Sequence, residues 1–462
     1  LADVNGPLRS IEPDHMALAG SSKLTNAYQR SFFNATREHG GKMSWLPTGN
    51  FTNNRVRLAI LDTSPTDNTA SSVTQLGRSS HGYGLANVAR DLTCDFNGQC
   101  AADITTQMAM PLYYEDGGIK EDEFGGGDFG SIGWLAEALV RETRQWRSVN
   151  VHRHLVLNLS LGWSPDYGGL TGQPNSWPLD VQAVYHAINY AHCAGALVVA
   201  AAGNATGGAT GNSGALLPGA WETRPAPMAQ ACIGFAGSDY DDDINGTNAS
   251  YKPLLWAASG IDYKGDDIAI ARENGRARLA AYADHAVVLG ADIDGDGVAN
   301  FTRSMTGTSV STTMIASAAA AAWYYAPELT PYDIMERLYD SGTALANGAD
   351  FCLSGACGDT KRVTVCEAVS KTCDIGASNC PGAGSLPQCD PWNQDAIDTS
   401  GFDFVPFDTG STATNMEYHE VAGSIQPMAN AACAATSTEL DSQDGNVSGA
   451  LAQCPDTQEY NA

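Results

Sequence analysis

Positive charge is scarce in this sequence. Its 462 residues include 25 lysines and arginines against 52 aspartates and glutamates, a formal net charge of −27. A surface of that sign repels phosphate backbones and anionic headgroups, which excludes nucleic acid and membrane surfaces as natural partners. Long apolar runs are also missing, so no stretch reads as a bilayer-spanning helix. Tight Cys-x-x-Cys pairs are absent from the twelve cysteines, which argues against a structural zinc site.

The cysteines point elsewhere. Their number is even, and eight of the twelve follow residue 350. Cys94–Cys100 and Cys352–Cys357 are spaced as short disulfide loops, and Cys193 and Cys232 end elements that could meet. Disulfides place the chain in an oxidising, secreted or extracellular setting. The chain opens at Leu1 without a signal-peptide pattern, so the expectation is a processed, exported form.

Strand and helix signals alternate from residue 55 onward. Arg55–Asp62 (RVRLAILD) is an apolar, branched run ending in an acid, and a helix starts near His81. Ser131–Trp146 has helical apolar spacing, and His154–Trp163 reads as a strand. Pro178–Gly195 is a helix opened by proline and closed by glycine, followed by a strand over Ala196–Asn204. Ala231–Ser238 and His285–Ala291 read as further short strands. Thr330–Gly342 has Thr as N-cap and Pro at the first helical position. This alternation predicts an α/β domain with a mostly parallel sheet covered on both faces. The division that follows is an irregular N-terminal extension (1–54), an α/β domain (55–345), and a Cys-rich, loop-dominated C-terminal extension (346–462).

The segment Met305–Trp323 (MTGTSVSTTMIASAAAAAW) places hydroxyls at the mouth of an alanine-rich helix. They read either as N-caps, from Thr306, Thr308 or Ser309, or as a nucleophile held at the positive end of the helix. Three other residues bear on the choice. Asp62 ends a strand, His81 opens a helix in HGYG, and Asn204 ends AAAGN. A serine hydroxyl becomes a nucleophile when an imidazole takes its proton, and a carboxylate fixes that imidazole's tautomer. A side-chain amide and a helix-start N–H stabilise the oxyanion that forms.

At LAILDTS, SSHGYGLANV, NLSLGW, VVAAAGN and TGTSVST, from about Arg55 to Gly342, the chain resembles the subtilisin-like serine protease family, the subtilases. The resemblance implies a three-layer fold with a mostly parallel central sheet flanked by helices, and serine endopeptidase activity. It assigns orientation to Asp62, general acid–base work to His81, nucleophilic attack to Ser309 and oxyanion donation to Asn204. Ser160, Leu161, Gly162, Trp163, Ala202 and Gly203 are then substrate-binding. The implied partners are a peptide or protein substrate and a propeptide or protein inhibitor. The chain departs from the family pattern at Ser64, Tyr83, Gly84, Trp163 and Thr313. None of these removes a reacting group, but Trp163 and Tyr83 are expected to reshape the cleft.

Asp292, Asp294 and Asp296, followed by Gly297, match the first half of a calcium loop, with Arg303 where a closing Glu would stand. Asp239–Asp243 (DYDDD) is a weaker candidate. Two alternatives to an enzyme stay open on the sequence alone. One is a catalytically inactive subtilase-like scaffold that binds peptides or proteins. The other is a secreted, disulfide-rich adhesion or structural protein whose tail carries the function.

Overall fold

Along Val56–Asp62 (β1) the side chains alternate between two cores, as a strand buried on both faces requires. Val56, Leu58 and Ile60 join one cluster with Val156, Leu197 and Val199. Ala59 and Leu61 join the other with Leu157, Val198 and Ala200. The computed structural model describes the chain chiefly over residues 55–63, 81–94, 100–110, 114–149 in part, 151–205, 213–283 with short breaks, 286–289, 301–346 and 348–380 with short breaks, together with Cys389 and the strand segments 16–19, 418–421 and 424–427.

The central sheet contains β1, Ala102–Met108 (β2), Leu155–Leu159 (β3), Leu197–Ala201 (β4), Trp256–Ile261 (β5), Leu279–Tyr282 (β6), Thr343–Ala344 (β7) and Lys361–Arg362 (β8). Its spatial order is β7-β8-β6-β5-β4-β3-β1-β2. Every pairing from β8 to β2 is parallel, and only β7 with β8 is antiparallel. The expected mostly parallel sheet is therefore present. The chain order reverses direction between β1 and β3, and a crevice opens at such a switch point beyond the strands' carboxyl ends.

Helices cover both faces. His81–Thr93 (α1), Thr308–Tyr325 (α5), Pro331–Ser341 (α6) and Val365–Cys373 (α7) lie on one side, and Ile132–Val149 (α2) and Leu179–Cys193 (α3) on the other. All eighteen residues of α5 are buried. It packs on all six strands from β1 to β6 on one side and on α1, α6 and α7 on the other. A helix enclosed all round has no polar face, and its alanines let neighbouring backbones approach closely. α6 starts as its sequence predicts, with Pro331 in the first turn and a capping box between Thr330 and Asp333.

Two expectations change. Ala231–Ser238, read as a strand, forms the helix Ala229–Ala236 (α4) followed by a 3₁₀ turn. A short apolar run carries no period that separates strand from helix. Here a disulfide from Cys232 to Cys193 at the end of α3 ties one side of α4 down, and Ile233 is left half exposed. The predicted strand over His285–Ala291 forms at Ala286–Leu289, but it pairs antiparallel with Phe301–Met305, outside the central sheet.

Order also runs past residue 345. β8 joins the sheet, and Val363, Val365, Ala368 and Val369 belong to the core. Disulfides join Cys94–Cys100 and Cys352–Cys357, as the spacings predict, and also Cys366–Cys389 and Cys373–Cys380. Met16–Ala19 forms a strand antiparallel to Gly127–Ser131 on one side and to Leu161–Gly162 on the other.

Candidate active site

Strand register brings the first group together. Ile60 of β1 stands opposite Asn158 of β3, so Asp62 at the end of β1 and Ser160 just past the end of β3 leave neighbouring strands at the same edge. Ala200 of β4 stands opposite Leu159, which puts Ala201 on the other side of Ser160. The site thus straddles the switch point between β1 and β3.

Asp62 Oδ1 accepts from His81 Nδ1 at 2.7 Å, and both side chains are buried. A carboxylate only accepts, so the imidazole carries its proton on Nδ1 and presents Nε2 as the basic nitrogen. The same oxygen accepts from the Thr63 N–H at 2.8 Å and the Thr63 hydroxyl at 3.1 Å. Thr63 Oγ1 in turn accepts from the Gly82 N–H at 3.1 Å. Asp62 is thereby fixed against the start of α1, where a negative charge is favoured by the exposed N–H groups.

Ser309 is the second residue of α5. Its hydroxyl donates to the Ser160 carbonyl at 3.0 Å, and the Ser160 hydroxyl donates to the Ser309 carbonyl at 3.0 Å. Asn158 Nδ2 donates to the Ser160 hydroxyl at 2.9 Å. This reciprocal clamp ties the head of α5 to the end of β3. Among the described residues no hydrogen bond joins Ser309 to His81. Gly307 occupies the N-cap position and no hydroxyl caps the helix, so the N-cap reading of Ser309 does not hold.

Asn204 supplies that cap from outside the helix. Its Oδ1 accepts from the Thr308 N–H at 3.0 Å and from the Thr308 hydroxyl at 3.2 Å. A backbone N–H is only a donor, so the atom facing it must be the amide oxygen, and the NH₂ group projects away. Thr308 Oγ1 also accepts from the Gly203 N–H at 3.1 Å. Thr63 was missed by sequence reasoning, and Thr308 entered it only as a candidate N-cap. Their signal is position alone: each is the hydroxyl residue beside a candidate catalytic or oxyanion group.

The remaining expected residues fall into two environments. Leu161 and Gly162 pair with Met16–Ala19 through their backbones. Trp163 is fully buried, packs edge-on against Trp221 at 5.7 Å, and pairs its N–H and carbonyl with Leu217. Its indole therefore lies in the core and not along a cleft. Ala202 accepts from the Leu216 N–H at 2.8 Å. Gly203 has φ +96, and a Cβ there would lie 2.4 Å from Leu216 Cγ, so only glycine fits. Asn158 and Asn204, each in an N-glycosylation sequon, are buried.

Glu222 follows this segment, in the turn Gly219–Thr223. Burial pushes its carboxyl up to about 7, against the opposing effect of the Arg278 N–H that donates to it at 3.2 Å. A cavity of about 210 Å³, lined in part by Tyr251, Trp256, Arg278 and Glu336, lies at the amino ends of β5 and β6, the far end of the sheet from Ser309. Asp292, Asp294 and Asp296 lie outside the described residues. Among the described residues, no three His, Cys, Asp or Glu side chains gather to hold a metal.

Residues 124–358, just over half of the chain, match the subtilase family. The chain belongs to the subtilase family. The matched span contains Ser160, Asn204 and Ser309, while Asp62 and His81 precede it. Among solved structures, fervidolysin from Fervidobacterium pennivorans, a keratinolytic enzyme related to subtilisin, aligns at 14% identity with a TM-score of 0.46. The alignment covers 78% of this chain and 52% of that one, so this subtilase spans about half the length of fervidolysin. MycP1 from Mycobacterium smegmatis aligns at 14% identity and TM-score 0.39, over 82% of this chain and 92% of its own. The prenylagaramide maturation protease PagA aligns at 14% and 0.41, over 71% and 96%. No curated protein matches.

Proposed function

We propose that this subtilase is a secreted endopeptidase that cuts peptide bonds through Asp62, His81, Ser309 and an acyl-enzyme. The observation that carries this reading is the Asp62–His81 hydrogen bond, one strand away from the clamp that holds Ser309. The mechanism requires the Ser309 hydroxyl to leave the Ser160 carbonyl for His81 Nε2, and catalytic contacts commonly tighten only with substrate bound.

Ser309 Oγ then attacks the scissile carbonyl carbon as its proton passes to His81 Nε2. The oxyanion is held by Asn204 Nδ2 and the Ser309 N–H. Collapse breaks the C–N bond, and the amine leaves with the proton from His81. Water gives a proton to His81 and attacks the ester. The acid departs, and that proton returns to Ser309 Oγ. The substrate backbone pairs as a strand with Leu161–Gly162 in the place that Met16–Ala19 takes in this structure.

Five disulfides among the described residues support export. No described helix is long and apolar enough to cross a membrane. The same reading gives a structural calcium to Asp292, Asp294 and Asp296. Chelation should then lower Tm and added calcium restore it, and a Tm indifferent to both removes the ion.

The test is hydrolysis of an unfolded protein by wild type beside Ser309→Ala and His81→Ala. Each variant should lose at least about 10⁴-fold in kcat. Undiminished cleavage by Ser309→Ala refutes the reading. The hydrogen bond that engages Ser309 with Ser160 favours a second reading, a scaffold that binds peptides without turnover. It predicts peptide binding by wild type with no cleavage.

A further inference from the structure

The crevice between the extensions of β3 and β4 is already filled. Ser160–Gly162 forms one wall and Ala202–Asn204 the other, and residues Leu216–Leu217 thread between them. The Leu216 N–H donates to the Ala202 carbonyl at 2.8 Å, and Leu217 exchanges hydrogen bonds with Trp163 at 2.8 and 3.0 Å. The Leu216 side chain reaches both walls. A Cβ added at Gly162 would lie 3.1 Å from Leu216 Cβ, and one added at Gly203 would lie 2.4 Å from Leu216 Cγ and 2.6 Å from Cδ1. Leu216 is only 5% exposed.

On the catalytic reading above, this is where the acyl-side residue of a substrate must put its side chain. Its backbone is strand-paired with Leu161–Gly162, and its carbonyl lies between Ser309 and Asn204. The side chain is therefore directed between the two walls, onto Leu216. We propose that Leu216 closes this pocket and restricts cleavage to bonds that follow glycine or alanine. Steric exclusion of this kind discriminates strongly, because a packed wall cannot yield to a ring or branched chain without losing its own contacts.

The chain's own N-terminal segment supplies a peptide of this class. Leu18 stands opposite Gly162 and Ala19 opposite Leu161, so Met16–Ala19 runs antiparallel to the proposed substrate strand and toward Ser160. The sequence continues Gly20-Ser21-Ser22-Lys23, beyond the described strand. In the sequence a small residue, Gly20, therefore follows directly after Ala19.

The test uses the octapeptide of residues 16–23, Met-Ala-Leu-Ala-Gly-Ser-Ser-Lys, with Gly20 kept or replaced by Ala, Leu or Phe. Wild type should cut the Gly and Ala peptides after position 20 with kcat/KM at least about 100-fold above the Phe peptide. In Leu216→Ala, the Phe-to-Ala ratio should rise about 10-fold or more. The wild-type series needs no variant to fold, so it stands alone if Leu216→Ala is unstable. Wild type that cuts the Phe peptide as fast as the Ala peptide overturns the pocket assignment and leaves the protease reading standing. So does a ratio unmoved in a folded Leu216→Ala. Failure of wild type to cut any peptide or unfolded protein overturns both.

Discussion

On the proposed mechanism Asn204 has two jobs, one at each end of its amide, and two readouts of a single variant tell them apart. Its oxygen caps α5 at Thr308, and on the proposed mechanism its NH₂ group meets the oxyanion. Asn204→Ala should lower kcat about 10²–10³-fold with little change in KM. The buried Thr308 N–H would also lose its acceptor, at a cost of about 1–3 kcal/mol that a thermal melt will read. Unchanged kcat in a folded variant would take Asn204 out of the chemistry. The positions of Asp62, His81 and Ser309 at the end or start of an element, and of Asn204 just beyond a strand, were legible in the sequence from the apolar runs they border. Leu216 was not legible. Its role depends on Gly162 and Gly203, which come from other segments, and an apolar residue in an apolar loop announces nothing. Trp163 misled because a large aromatic in a substrate motif reads as a cleft wall, whereas Trp221 and the Leu217 pairing hold it in the core.

α5 is the element on which the proposed site turns, because it presents Ser309 and packs against six strands. Its alanines set the distance to the sheet. Ala320 is fully buried, so Ala320→Leu should overpack the interface and cost about 1–3 kcal/mol. Ile233→Ser on α4, at a half-exposed position, should change stability by less than about 0.5 kcal/mol. Chemical denaturation of both variants checks the contrast, and an equal effect would contradict the packing described here. Helices α2, α3 and α6 were readable from apolar spacing and caps. α4 was not, since eight apolar and small residues fit either period and a disulfide and solvent on one face decided the outcome. The last strand and α7 were hidden because β8 has only two residues and α7 sits among cysteines that read as loop.

Across the whole molecule, buried titratable groups set opposing pH slopes. His192, enclosed and hydrogen-bonded to the Tyr332 hydroxyl at 3.0 Å, is pushed down to about 4 by burial. Burial likewise pushes His154, stacked on Trp323, down to about 3. Their depressed values contribute stability that is present above about 6.5 and lost as pH falls through 4 and 3. Glu222 runs the other way. Raised to about 7, it contributes stability that is complete below about 4.5 and lost as pH rises through 7. Glu222→Gln should therefore gain stability relative to wild type as pH rises from 4.5 to 8, by up to about 3 kcal/mol. A difference that does not change with pH would show that the Glu222 carboxyl is not held high. The parallel sheet and its two covers were legible from the alternation of periods along the chain. The pairing of Met16–Ala19 with Leu161–Gly162 was not, because four small and apolar residues in a polar segment carry no signal of a distant partner. The most direct measurement of the central claim, that Ser309 is a nucleophile activated by His81 and Asp62, is fluorophosphonate labelling of the folded protein followed by peptide mapping. One label is expected, on Ser309, and lost in His81→Ala; an unlabelled Ser309, or a label on another residue, contradicts that role.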